Sequence, residues 1–424
     1  MKIAAVIAEY NPLHEGHQYH MEQTRQITGA DYIITILSGD FVQRGLPAVE
    51  EKFVRTKKAL LAGSDLVLEL PLPYALSSAQ GFAFGGVSLA QGLGCVDDLS
   101  FGLEDEEDLE PLKALAHVLS LPSEGYSHLS EMYGRIPSAM QTGQTDPGID
   151  VCIPEPILYN NALQNALKKG KSYPAAVAQA VSEAYPELDT RFLTQKQNSN
   201  TLLALEYLQA LYRLNTPITP VAVRRQGMPY LSESGSGYPS ATALRARLQK
   251  TEPANSSLLF PRDFSSLLHY RLLSESYDDL LHYREMTPQL AHKIQNALPA
   301  FEDFEQFAGL LWTKDTTYAR TCRTLSYIIL GIKKDTWDVH AQVPYARILG
   351  FRKSAAPLLH QLRESAAIPV ISKLADAPAA LSSQAQQLLE LEVKASQIYD
   401  SVRYHKSGKR LPGEYQKSVI SVNS

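Results

Sequence analysis

Four short β-branched or apolar runs, each followed by a stretch of helical length, constrain this 424-residue chain more than any other feature. Ile3 to Ile7, Tyr32 to Leu37 and Asp65 to Leu70 (closed by Pro71) are the clearest, and Asp98 to Phe101 is a fourth. Helical patterns lie between them, from His17 to Thr28, Glu50 to Ala62 and Ser77 to Gln91. Strands alternating with helices of 10–15 residues predict βαβ units and a parallel sheet. Gly29 and Gly63 stand where helix-terminating glycines belong. Further on, Asn198-Ser199-Asn200 offers caps for an apolar helix from Leu202 to Leu214. Pro220 to Arg225 reads as a late strand, and Ser240 to Arg245, entered after Pro239, opens another helix. After about 250 the strand alternation fades into amphipathic helices at 262–300, 304–332 and 378–405. The expected organisation is an α/β domain over 1–250, with a helical insertion at about 104–195, and a helical domain over 251–424.

Composition narrows the class. Hydrophobic residues make up 44% and charged residues 20%, which excludes a disordered chain, a collagen-like fibre or a coiled-coil rod. No run of ~18 apolar residues exists, so no membrane span is expected. The apolar start, Ile3 to Ile7, is cut short by Glu9, Asn11 and Pro12, too soon for a secretory signal. Cys95, Cys152 and Cys322 are odd in number and far apart, which predicts neither a disulfide framework nor a zinc knuckle and suggests a reduced, cytoplasmic setting. Net charge is −5, unevenly spread: residues 310–424 carry 16 basic and 9 acidic groups. A basic final third suits a polyanion partner, although on its own it suits solvated helix faces better, since surface is the usual place of these residues.

The residues that carry chemistry are Glu9-Tyr10-Asn11-Pro12-Leu13-His14-Glu15-Gly16-His17, between the first strand and the first helix. Gly16 permits close backbone approach to a ligand. The helix start offers unpaired N–H groups and partial positive charge to phosphate oxygens. His14 and His17 leave the same turn and can donate to those oxygens. Attack at an α-phosphorus builds negative charge on the equatorial and leaving oxygens, and fixed donors stabilise that charge more than the ground state.

This His-x-Gly-His element after strand one resembles the nucleotidyltransferase superfamily, whose Rossmann-like core implies an ATP-binding domain with a parallel sheet. Ser240-Ala241-Thr242-Ala243-Leu244-Arg245 looks like its Ser/Thr-x-x-Arg element. Further strings narrow the resemblance: Ser38-Gly39-Asp40-Phe41-Val42-Gln43-Arg44-Gly45-Leu46-Pro47-Ala48, then Lys52, Arg55, and Gly63 to Pro71, with Ser100-Phe101-Gly102 and Asn200 through Tyr207. Together these are similar to the tRNA(Met) cytidine acetate ligase family. Two departures stand out: Asn200 is followed by Thr201 where paired asparagines are expected, and Tyr238-Pro239 replaces a small residue before the Ser-Ala-Thr element.

The resemblance implies an enzyme that joins ATP and acetate into acetyl-adenylate, releasing pyrophosphate, and passes the acetyl group to N4 of the wobble cytidine of elongator tRNA(Met). It implies His14 and His17 as catalytic residues. It implies ATP contacts from Ile7, Ala8, Glu9, Asn11, Pro12, His14, Gly16, His17, His20, Gly102, Asn200 and Arg225, with Mg²⁺ on the phosphates. Lys52 and Arg55 read equally as pocket-facing or as surface charges. Asp40 reads equally as a group orienting metal or base, or as a loop cap. Ser240, Thr242 and Arg245 are candidate phosphate contacts, and Lys333, Lys334, Arg352, Lys353, Lys406, Lys409 and Arg410 are candidate RNA contacts. Two rivals remain: a nucleotidyltransferase acting on a small phosphate ester, and an RNA-binding protein that senses ATP without turnover. A metal pair at His14 and His17 is disfavoured, since no third ligand with clear spacing accompanies them.

Overall fold

The computed structural model describes residues 1–105, 108–120, 155–169, 173–194, 199–225, 240–253, 255–313 and 316–423. The described chain divides into two compact units, Met1–Leu103 with Thr216–Ser424, and Glu104–Asn215.

The first unit is built on one eight-stranded sheet. Its strands are β1 (Ile3–Ala8), β2 (Tyr32–Ser38), β5 (Leu66–Leu70), β6 (Asp98–Leu103), β7 (Thr219–Arg224), β8 (Ala346–Arg352), β9 (Val370–Ile371) and β10 (Ile420–Val422). The order is β10-β8-β5-β2-β1-β6-β7, with β9 also paired to β8. All pairings are parallel except β5 with β8. A small antiparallel hairpin, β3 (Phe41–Val42) with β4 (Leu46–Pro47), follows β2. Helix α1 (Glu15–Thr28) links β1 to β2, and α2 (Lys52–Leu61) links the hairpin to β5. The chain leaves β1 toward β2 and β5, then returns to the other side of β1 for β6. That reversal is the topological switch point, where open α/β sheets bind ligands beyond the carboxyl ends of their strands.

Through residue 103 the predicted elements fall where the periodicity places them, whereas the stretches 262–300 and 304–332 break into several shorter helices. The parallel centre is apolar on both faces, as a doubly covered sheet requires. Val6, Ala8, Tyr10, Met21, Ile33, Leu37, Phe53, Ala59, Leu60, Val67 and Leu349 form one buried cluster on the side of α1 and α2. Gly29 closes α1 in the left-handed conformation, φ 67°. Gly45 is required by its surroundings. It sits at φ 78° in the hairpin turn, where an added Cβ would lie 2.1 Å from the Arg323 backbone nitrogen.

The structure differs from the sequence reading after residue 250. That stretch, read as a helical domain, also supplies β8, β9 and β10 to the sheet. Its helices share a core with the N-terminal region: Phe41, Leu72 and Leu76 pack in one cluster with Phe264, Leu268, Phe304, Phe307, Tyr327 and Tyr399. The physical reason is sheet completion. β5 would otherwise be an edge, and Ala346–Arg352 pairs with it antiparallel, with a register shift at Val67/Leu68. The tail is anchored: Lys417 Nζ donates to Glu51, Asp400 and Glu414.

The second unit is helical among its described residues. Leu109–Ser120 packs on Ser199–Arg213, and Glu155–Lys168 on Tyr173–Ala184. Among the described residues no helix is long and apolar enough to cross a membrane.

Candidate active site at the start of helix α1

The loop from β1 to α1 ends in a reciprocal cap. His14 is the N-cap residue, and its Nδ1 accepts from Gly16 N–H at 3.1 Å. His17 Nδ1 accepts from His14 N–H at 3.2 Å. The spacing of two histidines three residues apart makes this possible, as in a capping box built from imidazoles. The rings stack with centroids 3.8 Å apart, and the Tyr10 ring meets His17 edge-on at 4.9 Å. Because both Nδ1 atoms accept, the proton of each neutral ring resides on Nε2.

Electrostatics keep the rings neutral. Burial, then the Arg225 guanidinium, pushes His14 down to about 4. His17 is driven well below its ordinary value by burial, by His14 and His20, and by Arg225. Burial alone pushes His20 down to about 4. His20 Nε2 shares a hydrogen bond with Ser100 Oγ at 3.1 Å, and Ser100 Oγ with Thr24 Oγ1 at 2.7 Å, tying α1 to β6.

The switch-point strands bring the next residues in. Gly102 pairs with Val223, and Arg225 N–H continues the ladder to Leu103 O at 2.8 Å. A Cβ at Gly102 would lie 3.3 Å from Arg225 Cγ, so glycine leaves room for the arginine stem. Ile7, Ala8, Glu9, Asn11, Pro12, His14, Gly16, His17 and His20 follow in one segment from β1 into α1. Arg245 also reaches this loop, with Nη1 donating to Asn11 O at 2.7 Å and Nη2 to Thr242 Oγ1 at 2.9 Å. Ser240 Oγ caps its own helix by accepting from Ala243 N–H. Asn200 belongs to the second unit, where its Nδ2 donates to Glu104 Oε1 at 3.2 Å.

Other candidate side chains find partners inside the fold. Lys52 and Arg55 are fully buried, so neither is a surface charge. Lys52 Nζ donates to Glu69 Oε1 at 2.6 Å and Ser396 Oγ at 2.9 Å, and lies 3.1 Å from Glu414 Oε2. Arg55 donates to the carbonyls of Glu9, Ser38, Gly39 and Glu50. Asp40 is also buried and caps: it accepts from Lys52 N–H and Ser396 Oγ. Asn11, expected among nucleotide contacts, is 4% exposed and turns its Oδ1 inward to Val49 N–H at 2.8 Å. Among the basic candidates, Lys406 is held between Glu252 and Asp263, Lys333 lies over the Tyr283 ring at 3.4 Å, and half-buried Arg352 donates to Leu60 O. Lys334, Lys353, Lys409 and Arg410 are exposed. Sequence reasoning missed Tyr10, Thr24 and Ser100 as neighbours of the histidines. Only the β1–β6 adjacency, a long-range fact, brings Thr24 and Ser100 together.

A sheet reversing at β1, with a His-x-Gly-His turn beyond its switch point, defines a nucleotidyl transferase of the HIGH class. The model of that family, HIGH Nucleotidyl Transferase, matches residues 1–135 and 148–412. Within this class the chain belongs to the tRNA(Met) cytidine acetate ligase family. It is 31% identical over 421 residues to the tRNA(Met) cytidine acetate ligase of Clostridium perfringens, covering 94% of this chain and 95% of that one. It is 32% identical over 422 residues to that of Clostridium kluyveri, covering 94% of each. The fold is that of Thermotoga maritima TmcAL, 24% identical over 100% of both chains. The TM-score is 0.82 against its crystal structure bound with alpha-thio ATP and 0.84 against an apo form.

Proposed function

We propose that this chain is an ATP-dependent ligase that activates acetate and acetylates N4 of the wobble cytidine of elongator tRNA(Met). The observation that carries the reading is the reciprocally capped His14–His17 pair at the switch point. It leaves two Nε2–H donors, with the positive end of the helix dipole behind them, to face a triphosphate. Ile7, Ala8, Gly16, His20, Gly102 and Arg225 complete the ATP site, while Glu9, Asn11 and Pro12 shape its loop.

An acetate oxygen attacks the α-phosphorus, the bond to the β-phosphate bridging oxygen breaks, and pyrophosphate leaves. His14 and His17 stabilise the charge that grows on the phosphate oxygens, and Arg225 adds its fixed positive charge. The cytidine amine then attacks the acetyl carbonyl carbon, the bond to the phosphate oxygen breaks, AMP leaves and the nitrogen gives up a proton. The base must be unstacked to reach the adenylate. Among the described residues no group of three His, Cys, Asp or Glu side chains could hold a metal. Mg²⁺ would enter on the triphosphate oxygens, where it offsets their charge. Lys334, Lys353, Lys409 and Arg410 are the exposed cations for RNA phosphates.

The test is incubation with ATP, labelled acetate and bulk bacterial tRNA, followed by nucleoside analysis. Label in N4-acetylcytidine is expected, and label in another nucleoside overturns the assignment. Pyrophosphate exchange that needs a phosphate ester instead of acetate would identify a different nucleotidyltransferase. No exchange with any carboxylate would leave an RNA-binding protein that senses ATP.

A further inference from the structure

The buried guanidinium of Arg55 is the feature that the reaction as described leaves unused. We propose that Arg55, seconded by Asn11, is a positioning residue that sets the conformation of residues 9–14 and thereby the aim of His14 and His17. The inference rests on the ligase reading for its kinetic consequence, but not for its structural one.

The loop is held from outside. Arg55 Nη1 donates to Glu9 O at 2.7 Å and to Ser38 O at 3.0 Å. Arg55 Nη2 donates to Gly39 O, and Nε to Glu50 O at 2.8 Å. One side chain thus joins the loop after β1, the loop after β2 and the approach to α2. Glu9 Oε1 accepts from Gln43 N–H at 2.9 Å, and Asn11 Oδ1 from Val49 N–H at 2.8 Å. These contacts bracket Tyr10, which sits at φ 45°, a left-handed conformation that a bulky residue keeps only when its surroundings impose it. The histidines follow immediately, with His14 taking the cap of α1. The conformation of the 9–14 loop thus determines where the two Nε2–H donors point.

Arginine is suited to this work and lysine is not. Its planar fork carries five N–H donors in fixed directions, whereas an ammonium is a point charge on a flexible stem. The long string Ser38 to Ala48, with Arg55, therefore reads as a cradle for the histidine loop. Misplacing a catalytic group by about 1 Å can cost ~100-fold in rate.

The experiment uses the full chain with Arg55→Lys and Asn11→Ala. The second variant removes one acceptor and leaves the buried charge in place, so it decides the matter if the first does not fold. Two readouts are taken: acetate-dependent ATP–pyrophosphate exchange, and the side-chain ¹⁵N signals of His14 and His17 without substrate. The wild type is expected to show both rings as Nε2–H tautomers. Each folded variant is expected to show mixed tautomers and at least a tenfold lower kcat, with KM for ATP changed less. Variants that melt earlier but keep kcat and the tautomer signals would overturn the proposal, because Arg55 and Asn11 would then only stabilise. A wild type without acetate-dependent exchange would sink the ligase reading alone, since the tautomer signals still test the clamp.

Discussion

Acid should loosen this protein through His20, and the structure sets the size of the effect. The His20 ring lies between α1 and β6, bonded to Ser100, and burial pushes it down from 6.5 to about 4. A histidine with a depressed folded value contributes stability that is complete above its unfolded value. That contribution is lost as pH falls from about 6.5 toward 4, because the unfolded chain takes up a proton that the folded one refuses. Across that window the unfolded state binds up to one more proton, a slope approaching 1.4 kcal/mol per pH unit. Between pH 7.5 and 5 the full shift would cost about 2 kcal/mol. The residue as a whole is only half-buried, so roughly 1–2 kcal/mol is the working figure. His20→Gln keeps a partner for Ser100 and removes the titration. Urea unfolding of both proteins from pH 7.5 to 4.5 is the assay, because the difference between the curves cancels the carboxylates they share. The variant should lose less stability on acidification by that amount. Parallel acid limbs would refute the reasoning, since they would mean that His20 titrates alike in the folded and unfolded chain.

Three further outcomes are expected. His14→Ala or His17→Ala should lower acetate-dependent pyrophosphate exchange by roughly two orders of magnitude or more, as loss of a charge-stabilising donor does, and a mild loss would mean that the rings only shape the turn. Lys52→Met should destabilise by about 3–5 kcal/mol in urea unfolding, because it removes one buried cation from a carboxylate cluster and leaves Glu69 with only Arg347, which Glu69 shares with Glu414. Neutralising Lys334, Lys353, Lys409 and Arg410 should weaken tRNA binding at low salt and flatten its salt dependence by about one unit of slope per contact made, and unchanged slopes would place the RNA elsewhere.

The first hundred residues were legible because their rules are local. A β-branched run, a cap, a glycine and a 3.6-residue period each act within a few positions, and the strands and helices of that region appear where those signals stand. The nine residues from Glu9 to His17 were legible for the same reason, since the cap joins residues two and three apart. For Lys52, Arg55 and Asp40 the sequence leaves two uses open, ligand contact or an ordinary surface or capping role, because nothing local decides between them. Their use is long-range: Lys52 meets Ser396, and Asp40 meets the same hydroxyl, 344 and 356 residues away. No periodicity carries that information.

The same distance explains why the strands of the C-terminal region do not show in the sequence. β8 carries Arg347, Gly350 and Arg352 among its apolar residues and so reads weakly as a strand, and its antiparallel pairing with β5 is set by a partner nearly three hundred residues earlier. Arg347 on that strand donates to Glu69 at 2.6 Å and to Glu414 at 2.7 Å, joining β5 to the tail. Glu392, on the helix Ser383–Ser407, accepts from Leu72 N–H, and its Oε1 would stand 2.5 Å from a Cβ at Gly39. Gly39 in turn gives its carbonyl to Arg55. A chain of buried contacts therefore runs from the C-terminal helix through Gly39 and Arg55 to Glu9. The histidine turn is local in its chemistry, but its support extends to the end of the chain. Truncations near the C-terminus should accordingly unsettle the turn itself, although every residue that forms the turn precedes residue 20.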